Sequence, residues 1–347
     1  MSGATVLSVR RLRRLRLALI PAVLLLSAGC AGSTDLAKVT FERTTVPAAE
    51  RENVVASAPG TGDDQGGGEP QAQEAAFTPE ALRPIDPCAL LDEAEFAQFG
   101  DTPEAMRADY SRCGYYGVDQ QGESVGLTYT LGDSVFSEAE QASQEVAGLK
   151  THVQSVDGDG GGMCFVRVIT TDGENAKSLT IQLTAKVDDV CATGREFAEH
   201  AVELVREDPP HNAEGTGLLA GLDACETAEA DEVAGWIGDE HRQHAYGLHD
   251  CTWSRTGVEL QVGFRISYDP ADAADVEEID LAGATAYRVL DGNVYPECKV
   301  SWAHGPFGDG AEFEVVTVSM ADILEEGVDT CALATEAAEV IKTRIPA

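Results

Sequence analysis

The sequence predicts an α+β protein built from two tandem related domains, each an antiparallel sheet with helices packed on one face. Three observations predict it. Eight cysteines fall into two sets of four at matching spacing: Cys88, Cys113, Cys164 and Cys191, then Cys225, Cys251, Cys298 and Cys331. Several stretches alternate apolar and polar residues with a period of two, the pattern of half-buried antiparallel strands. Each set of cysteines then ends in a run of helical period.

The repeat extends between the cysteines. Ile85–Gly100 (IDPCALLDEAEFAQFG) answers Leu222–Gly238, and Cys-Gly-Tyr at Cys113 answers Cys-Thr-Trp at Cys251. Thr151–Gly158 answers Thr285–Gly292, each with its Asp-Gly at the same distance before the third cysteine. Asp189–Ala192 answers Asp329–Ala332. This is a tandem duplication.

Each copy reads alike from its start. A short helix follows the first cysteine. A strand comes next, with Val125, Leu127, Tyr129 and Leu131 on one face in copy one, and Leu260, Val262, Phe264 and Ile266 in copy two. Ser137–Leu149 is then a helix candidate, with Ala271–Glu278 as its shorter counterpart. Further strands follow, among them Leu179–Ala185 and Phe313–Met320. The last helices span about Cys191–Val205 and Cys331–Ile345. Cys331, Ala334, Ala338, Ile341 and Ile345 share one face of the second, and Asp329 and Thr330 suit its amino end. The expected organisation is a leader over 1–29, a tether over 30–84, a first domain over 85–208, a linker over 209–220 and a second domain over 221–347.

The ninth cysteine, Cys30, belongs to neither set. Five arginines between Arg10 and Arg16 precede about ten mostly apolar residues, Leu17–Leu26, too few for a membrane span of about 20. Ser27, Ala28 and Gly29 then lead to Cys30. This stretch resembles a bacterial lipoprotein signal, although Ser27 sets the lipobox slightly off pattern. The resemblance implies a diacylglyceryl group on Cys30 and a protein on the outer face of the cytoplasmic membrane, lipid-anchored and facing the cell wall space. A plain secretory signal cut near Ala28 is the alternative. The stretch Ser57–Ala76 offers almost nothing to bury and reads as a disordered stalk.

In an oxidising compartment the eight duplicated cysteines are expected to pair as disulfides. Four per copy allow three connectivities. The favoured one joins first with second and third with fourth. Zinc is disfavoured because no two of them lie closer than 25 residues, far from a Cys-x-x-Cys spacing.

Asp-Pro-Cys-Ala-Leu-Leu at Asp86–Leu91, an aromatic two residues after Cys113, and the run from Asp189 to Val205 resemble the actinobacterial lipoproteins of the domain-of-unknown-function 3558 family. Copy two is looser, with Ala224 where the motif has proline. The resemblance implies location and fold, and no activity.

Composition narrows the partners. The chain carries 24 Lys and Arg against 60 Asp and Glu, a formal charge of −36. Without the leader, 19 basic residues face the same 60 acids, giving −41. Such a surface repels phosphate backbones, so no nucleic acid is expected as partner. The expected partners are the membrane, through Cys30, and an unknown protein or small-molecule ligand.

No cofactor and no catalytic residue is read from the sequence. Neither a His-Glu-x-x-His metal motif nor a phosphate-cradling loop occurs, and a Ser nucleophile elbow is not expected. Asp157–Gly162 lacks the closing Glu of a calcium loop and reads as a hairpin turn. His241, His244 and His249, interspersed with acids, are the metal candidates. Copy one has no histidine in the corresponding stretch. The expected function is therefore a non-catalytic binding or accessory role at the membrane–wall interface. The alternatives are metal sensing through those histidines, or a wall-active hydrolase without a recognisable motif.

Overall fold

The computed structural model describes residues 74–100, 104–158, 161–173, 175–213, 217–292, 294–308 and 310–346. The expected leader, Cys30 and most of the expected tether lie outside the described residues.

The first domain extends before residue 85. Ala75–Phe77 forms a 3-10 turn, and α1 (Pro79–Leu82) follows, with Thr78 Oγ1 accepting from Ala81 N at 3.3 Å. Phe77 and Leu82 are each 1% exposed within the first core. The end of the expected tether is thus part of the first domain, because these two side chains have a core to enter. Ion pairing of Arg206 with Glu74 at 2.8 Å fastens the same segment.

In the first domain α2 (Glu93–Phe96) precedes β1 (Ala105–Asp109), β2 (Arg112–Val118) and β3 (Ser124–Ser134). Next come α3 (Ser137–Gln141), β4 (Gln144–Val146), β5 (Leu149–Gly158), β6 (Gly161–Thr171), β7 (Lys177–Ala185) and α4 (Val190–Glu207). The sheet runs β1-β2-β3-β7-β6-β5-β4, with antiparallel neighbours. The second domain repeats it with α5 (Ala230–Ile237), β8 (Arg242–His244), β9 (Asp250–Arg255) and β10 (Val258–Ser267). After these come β11 (Glu277–Leu281), β12 (Ala284–Asp291), β13 (Glu297–Phe307), β14 (Glu312–Asp322) and α6 (Thr330–Arg344). Its order β11-β12-β13-β14-β10-β9-β8 is the same topology.

The period-two pattern sets which face is buried. Val125, Leu127, Tyr129 and Leu131 point inward on β3, and Leu260, Val262, Phe264 and Ile266 do so on β10. Phe197, Ala198, Ala201, Val202 and Val205 of α4 cover the first inner face, and Ala334, Ala337, Ala338 and Ile341 of α6 belong to the second core. Both helices start on an aspartate: Asp189 accepts from Ala192 N at 2.8 Å and Asp329 from Ala332 N at 3.1 Å. Cys88 is joined to Cys113 and Cys225 to Cys251, tying the 3-10 turn before α2 or α5 to a strand. Cys164 is joined to Cys191 and Cys298 to Cys331, tying β6 and β13 to the first turn of the last helix.

Two stretches depart from their sequence reading. Ser137–Leu149 is helical only to Gln141. The chain then turns into a β4–β5 hairpin through Ala147 (φ 48°) and Gly148 (φ 81°). Ala271–Glu278 likewise holds only the end of a 3-10 turn, Pro270–Asp272, before β11. Alanine and glutamate favour helix, but edge-strand pairing prevails over that local preference. The expected linker is also partly folded, since Leu219 and Ala220 are buried in the second core.

The two domains exchange side chains. Tyr110 of the first is buried in the second core, and Leu248 of the second is buried in the first. Both stand three residues before the second cysteine of their set. Gly132 receives Leu248: its φ is +64°, and a Cβ there would lie 2.3 Å from Leu248 Cδ2. Tyr110 donates to Glu314 Oε1 at 2.8 Å, while Glu314 also accepts from Leu218 N and Leu219 N. Strand register makes Lys177 the equivalent of Glu314, and it too is buried and reaches across. Its ammonium donates to Ala245 O and to Ser134 Oγ. Arg83 crosses as well, to Leu248 O and Asp223.

Candidate functional site

On the second sheet, outward positions carry apolar side chains where an exposed face would be polar. Val315 on β14 follows the pleat opposite to buried Val316, and Tyr287 and Val289 on β12 alternate with buried Ala286. The chain leaving β10 turns at Asp269, whose carboxylate accepts from Ala271 N at 2.9 Å, and passes through Pro270–Asp272 to Val276. Between this segment and the sheet lies a cavity of about 610 Å³. Val276, Val289 and Val315 give it an apolar lining, Tyr268 and Tyr287 add two rings, and Lys299 and Ser301 face it from β13. That size is ordinary for a small-molecule site.

Few polar groups in the cavity are free. Ser301 and Thr317 bond each other at 3.0 Å, and Lys299 pairs with Glu297 at 3.2 Å. Asp269 and Asp272 stand at its lip. Burial, then the carboxylates of Glu278, Asp269 and Asp272, push the Tyr287 phenol above its ordinary range.

In the first domain the equivalent segment packs down instead. Val135, Ile169 and Ala176 form a small buried cluster with Ala139 and Ala142 against them. A cavity of about 380 Å³ opens beside it, lined by Phe136, Ala139, Glu140, Asp172 and Gly173.

A second concavity, about 230 Å³, lies between the domains and is lined by Asp109, Arg112, Asp133, Tyr246, Asp250 and Arg265 among others. Arg265 binds Asp109 at 2.9 Å and Asp250 at 2.6 Å across it. Burial lifts the Asp250 carboxyl above the usual aspartate range, against the pull of Arg265. Lys177 nearby is drawn down to about 8 by burial, against Asp133, Asp223 and Asp250. These charges largely satisfy one another and read as an interface network.

The three candidate histidines have separate surroundings. His249 is 3% exposed, bonds Ala220 O through Nε2 at 2.7 Å and packs 4.9 Å from the Tyr110 ring; burial pulls it down to about 4. His244 ends β8 and packs between Phe136 at 5.4 Å and Tyr246 at 4.4 Å. His241 lies before β8, with Nδ1 3.2 Å from Gly238 O. The helical spacing that would put His241 and His244 on one face is absent, because α5 ends at Ile237. Among the described residues no group of three or more His, Cys, Asp or Glu is placed to hold a metal.

Gly122–Gly126 does spell Gly-x-Ser-x-Gly, which the expectation of no nucleophile elbow overlooks. Ser124, however, opens β3 opposite Val118 in an antiparallel hairpin. An elbow needs a strand-to-helix turn.

Sequence reasoning missed Tyr268, Tyr287, Lys299 and the cavity they line. A signal was present: Val315 beside Val316, and Tyr287 beside Ala286, put apolar side chains on both faces of their strands.

Four disulfides mark an oxidising, extracytoplasmic compartment. Among the described residues no helix is long and apolar enough to cross a membrane. No family model and no curated protein matches the chain. The resemblance to the domain-of-unknown-function 3558 family therefore rests on its motif residues alone. Among solved structures, the di-domain ARO/CYC StfQ from the steffimycin biosynthetic pathway aligns with 78% of this chain and 90% of its own, at 12% identity and a TM-score of 0.17. The di-domain ARO/CYC BexL from the BE-7585A biosynthetic pathway aligns with 78% and 95%, at 11% identity and a TM-score of 0.15. Scores that low carry no argument about this chain.

Proposed function

We propose that this protein is an extracytoplasmic binding lipoprotein, held to the outer face of the cytoplasmic membrane by a diacylglyceryl group on Cys30 and facing the cell wall space. Its role is non-catalytic: it holds a small molecule in the cleft of the second domain. The observation that carries the binding role is that cleft of about 610 Å³, roofed by the segment after β10. The anchor is supported by the arginine-rich leader and by Cys30 standing outside both cysteine sets.

Two experiments test the reading. Cys30→Ala is expected to move the protein from the membrane fraction to the medium; retention in the membrane would overturn the anchor. Thermal-shift screening with apolar small molecules is expected to raise the Tm of the native protein but not of Val315→Trp, which fills the cleft. Turnover of a wall fragment that disappears on a cleft substitution would overturn the non-catalytic role.

A further inference from the structure

We infer that the cleft of the second domain takes a cationic amphiphile: an apolar body laid on the valine floor, and a cationic head at the lip by Asp269 and Asp272. The inference rests on the binding role proposed above and names the class of ligand.

The floor supplies the apolar half. Val289 and Val315 are outward-facing on their strands, and Val276 faces them from the segment after β10. Covering such a surface with an apolar body removes it from water, which favours binding. The one ammonium on the floor, Lys299, already has Glu297 at 3.2 Å and offers an anionic ligand no uncompensated charge.

The lip supplies the polar half. Asp269 and Asp272 both line the cavity, and neither has an ion-pair partner among the described residues. Tyr268, 72% exposed, and Tyr287 present rings at the same site. A cation over a tyrosine face is attracted by the negative face of the ring. The net charge of −36 acts in the same direction, steering cations inward and anions away. In the first domain strand register puts Phe165, Arg167 and Ser178 where the cleft has Lys299, Ser301 and Val315, so the valine floor is not repeated there.

The test uses the full chain carrying Cys30→Ser and three ten-carbon probes below their micelle concentrations: decyltrimethylammonium, decyl maltoside and decyl sulfate. Isothermal titration calorimetry is expected to show one site, tightest for the ammonium and weakest for the sulfate. Asp269→Asn with Asp272→Asn keeps an N-capping side chain at 269 and is expected to weaken the ammonium about thirtyfold, from the loss of two screened charges. Glu199→Gln on the exposed side of α4 is the charge control and is expected to change nothing. Val315→Trp, and Ala274→Trp in the exposed roof should the first fail to fold, are expected to abolish the site.

The failures are distinguishable. Equal binding of all three probes, lost in the tryptophan variants, would overturn the cationic class and leave the cleft as a binding site. Binding that no tryptophan variant changes, or none at all, would overturn the cleft itself.

Discussion

The two domains share strand order, disulfide positions and helix caps, yet they differ wherever they meet. Tyr110 in one stands where Leu248 stands in the other, and each is buried in its partner's core. Register pairs Lys177 with Glu314, Arg112 with Asp250, and Asp133 with Arg265, so the sign of the charge reverses at each. A two-fold interface brings a patch against its own copy, so like charges near the axis meet like charges. A fused duplication is free of that constraint. Once two copies are one chain, each can change alone, and Arg265 can bridge Asp109 and Asp250. The lesson is that the framework preserves what one domain needs, while the interface diverges toward complementarity.

The exchanged anchors should therefore carry the largest effect. Tyr110→Ala removes a buried ring and one of the donors to Glu314, a loss of about 4 kcal/mol; Leu248→Ala costs about 3 kcal/mol. Urea unfolding of the native protein is expected to be a single transition, and of either variant two. A single transition in both variants, shifted alike, would mean that the domains are coupled elsewhere. Gly132→Ala tests the same contact from the other side. It is expected to mimic Leu248→Ala, through both the positive φ and the clash with Leu248 Cδ2.

Disulfides come next, and here the domains should behave alike. Each closes a loop of 25 to 33 residues, worth about 3.5 kcal/mol in the loop-entropy model. Replacing Cys164 and Cys191 by serine, or Cys298 and Cys331, is expected to cost the same within about 0.5 kcal/mol, since the entropy grows only slowly with length. A difference several times larger would show that one bridge bears on its domain's packing beyond loop closure.

Acid should then separate the domains. His249 is buried at a position where the first domain has Ser111, and burial draws it down to about 4. Its ordinary value is about 6.5, so between those values the unfolded chain binds a proton that the folded one refuses. Stability is unaffected above pH 6.5 and falls as pH drops toward 4, by about 3 kcal/mol in all. His249→Ser, borrowing the first domain's residue, is expected to flatten that limb of a stability-versus-pH curve, at the cost of the bond to Ala220 O. An unchanged slope would assign the acid sensitivity to other groups.

What the sequence revealed and concealed follows from how far each signal reaches. The sheets were legible because Leu127 and Tyr129, or Val262 and Phe264, alternate with polar neighbours along one strand. The repeat was legible because cysteine spacing survives divergence. Phe77 and Leu82 were not legible as core: five residues apart in a polar stretch, they make no period. The exchange of Tyr110 and Leu248 left no local mark either, for a buried side chain looks the same whichever domain buries it. Nor did Lys177 and Glu314, whose burial depends on the other domain. The cleft left a faint trace in strands apolar on both faces, which only the roof after β10 explains.

The smallest effect is a test of sameness. Asp189 and Asp329 each stand before a closing helix and accept the backbone N–H three residues on, at 2.8 and 3.1 Å. A capping carboxylate satisfies a donor that would otherwise lack an intrahelical partner, and its charge favours the positive helix end. Replacement by alanine typically costs about 1 kcal/mol. The next residue but one is in each case a disulfide cysteine, Cys191 or Cys331, so the first turn is already pinned to its strand. Fraying is thereby limited to the same degree in both copies. Asp189→Ala and Asp329→Ala should lower stability by equal amounts of about 1 kcal/mol, read as a shift in urea midpoint without a change in slope. Unequal losses would mean that divergence has reached the framework itself, and not the interface and cleft alone.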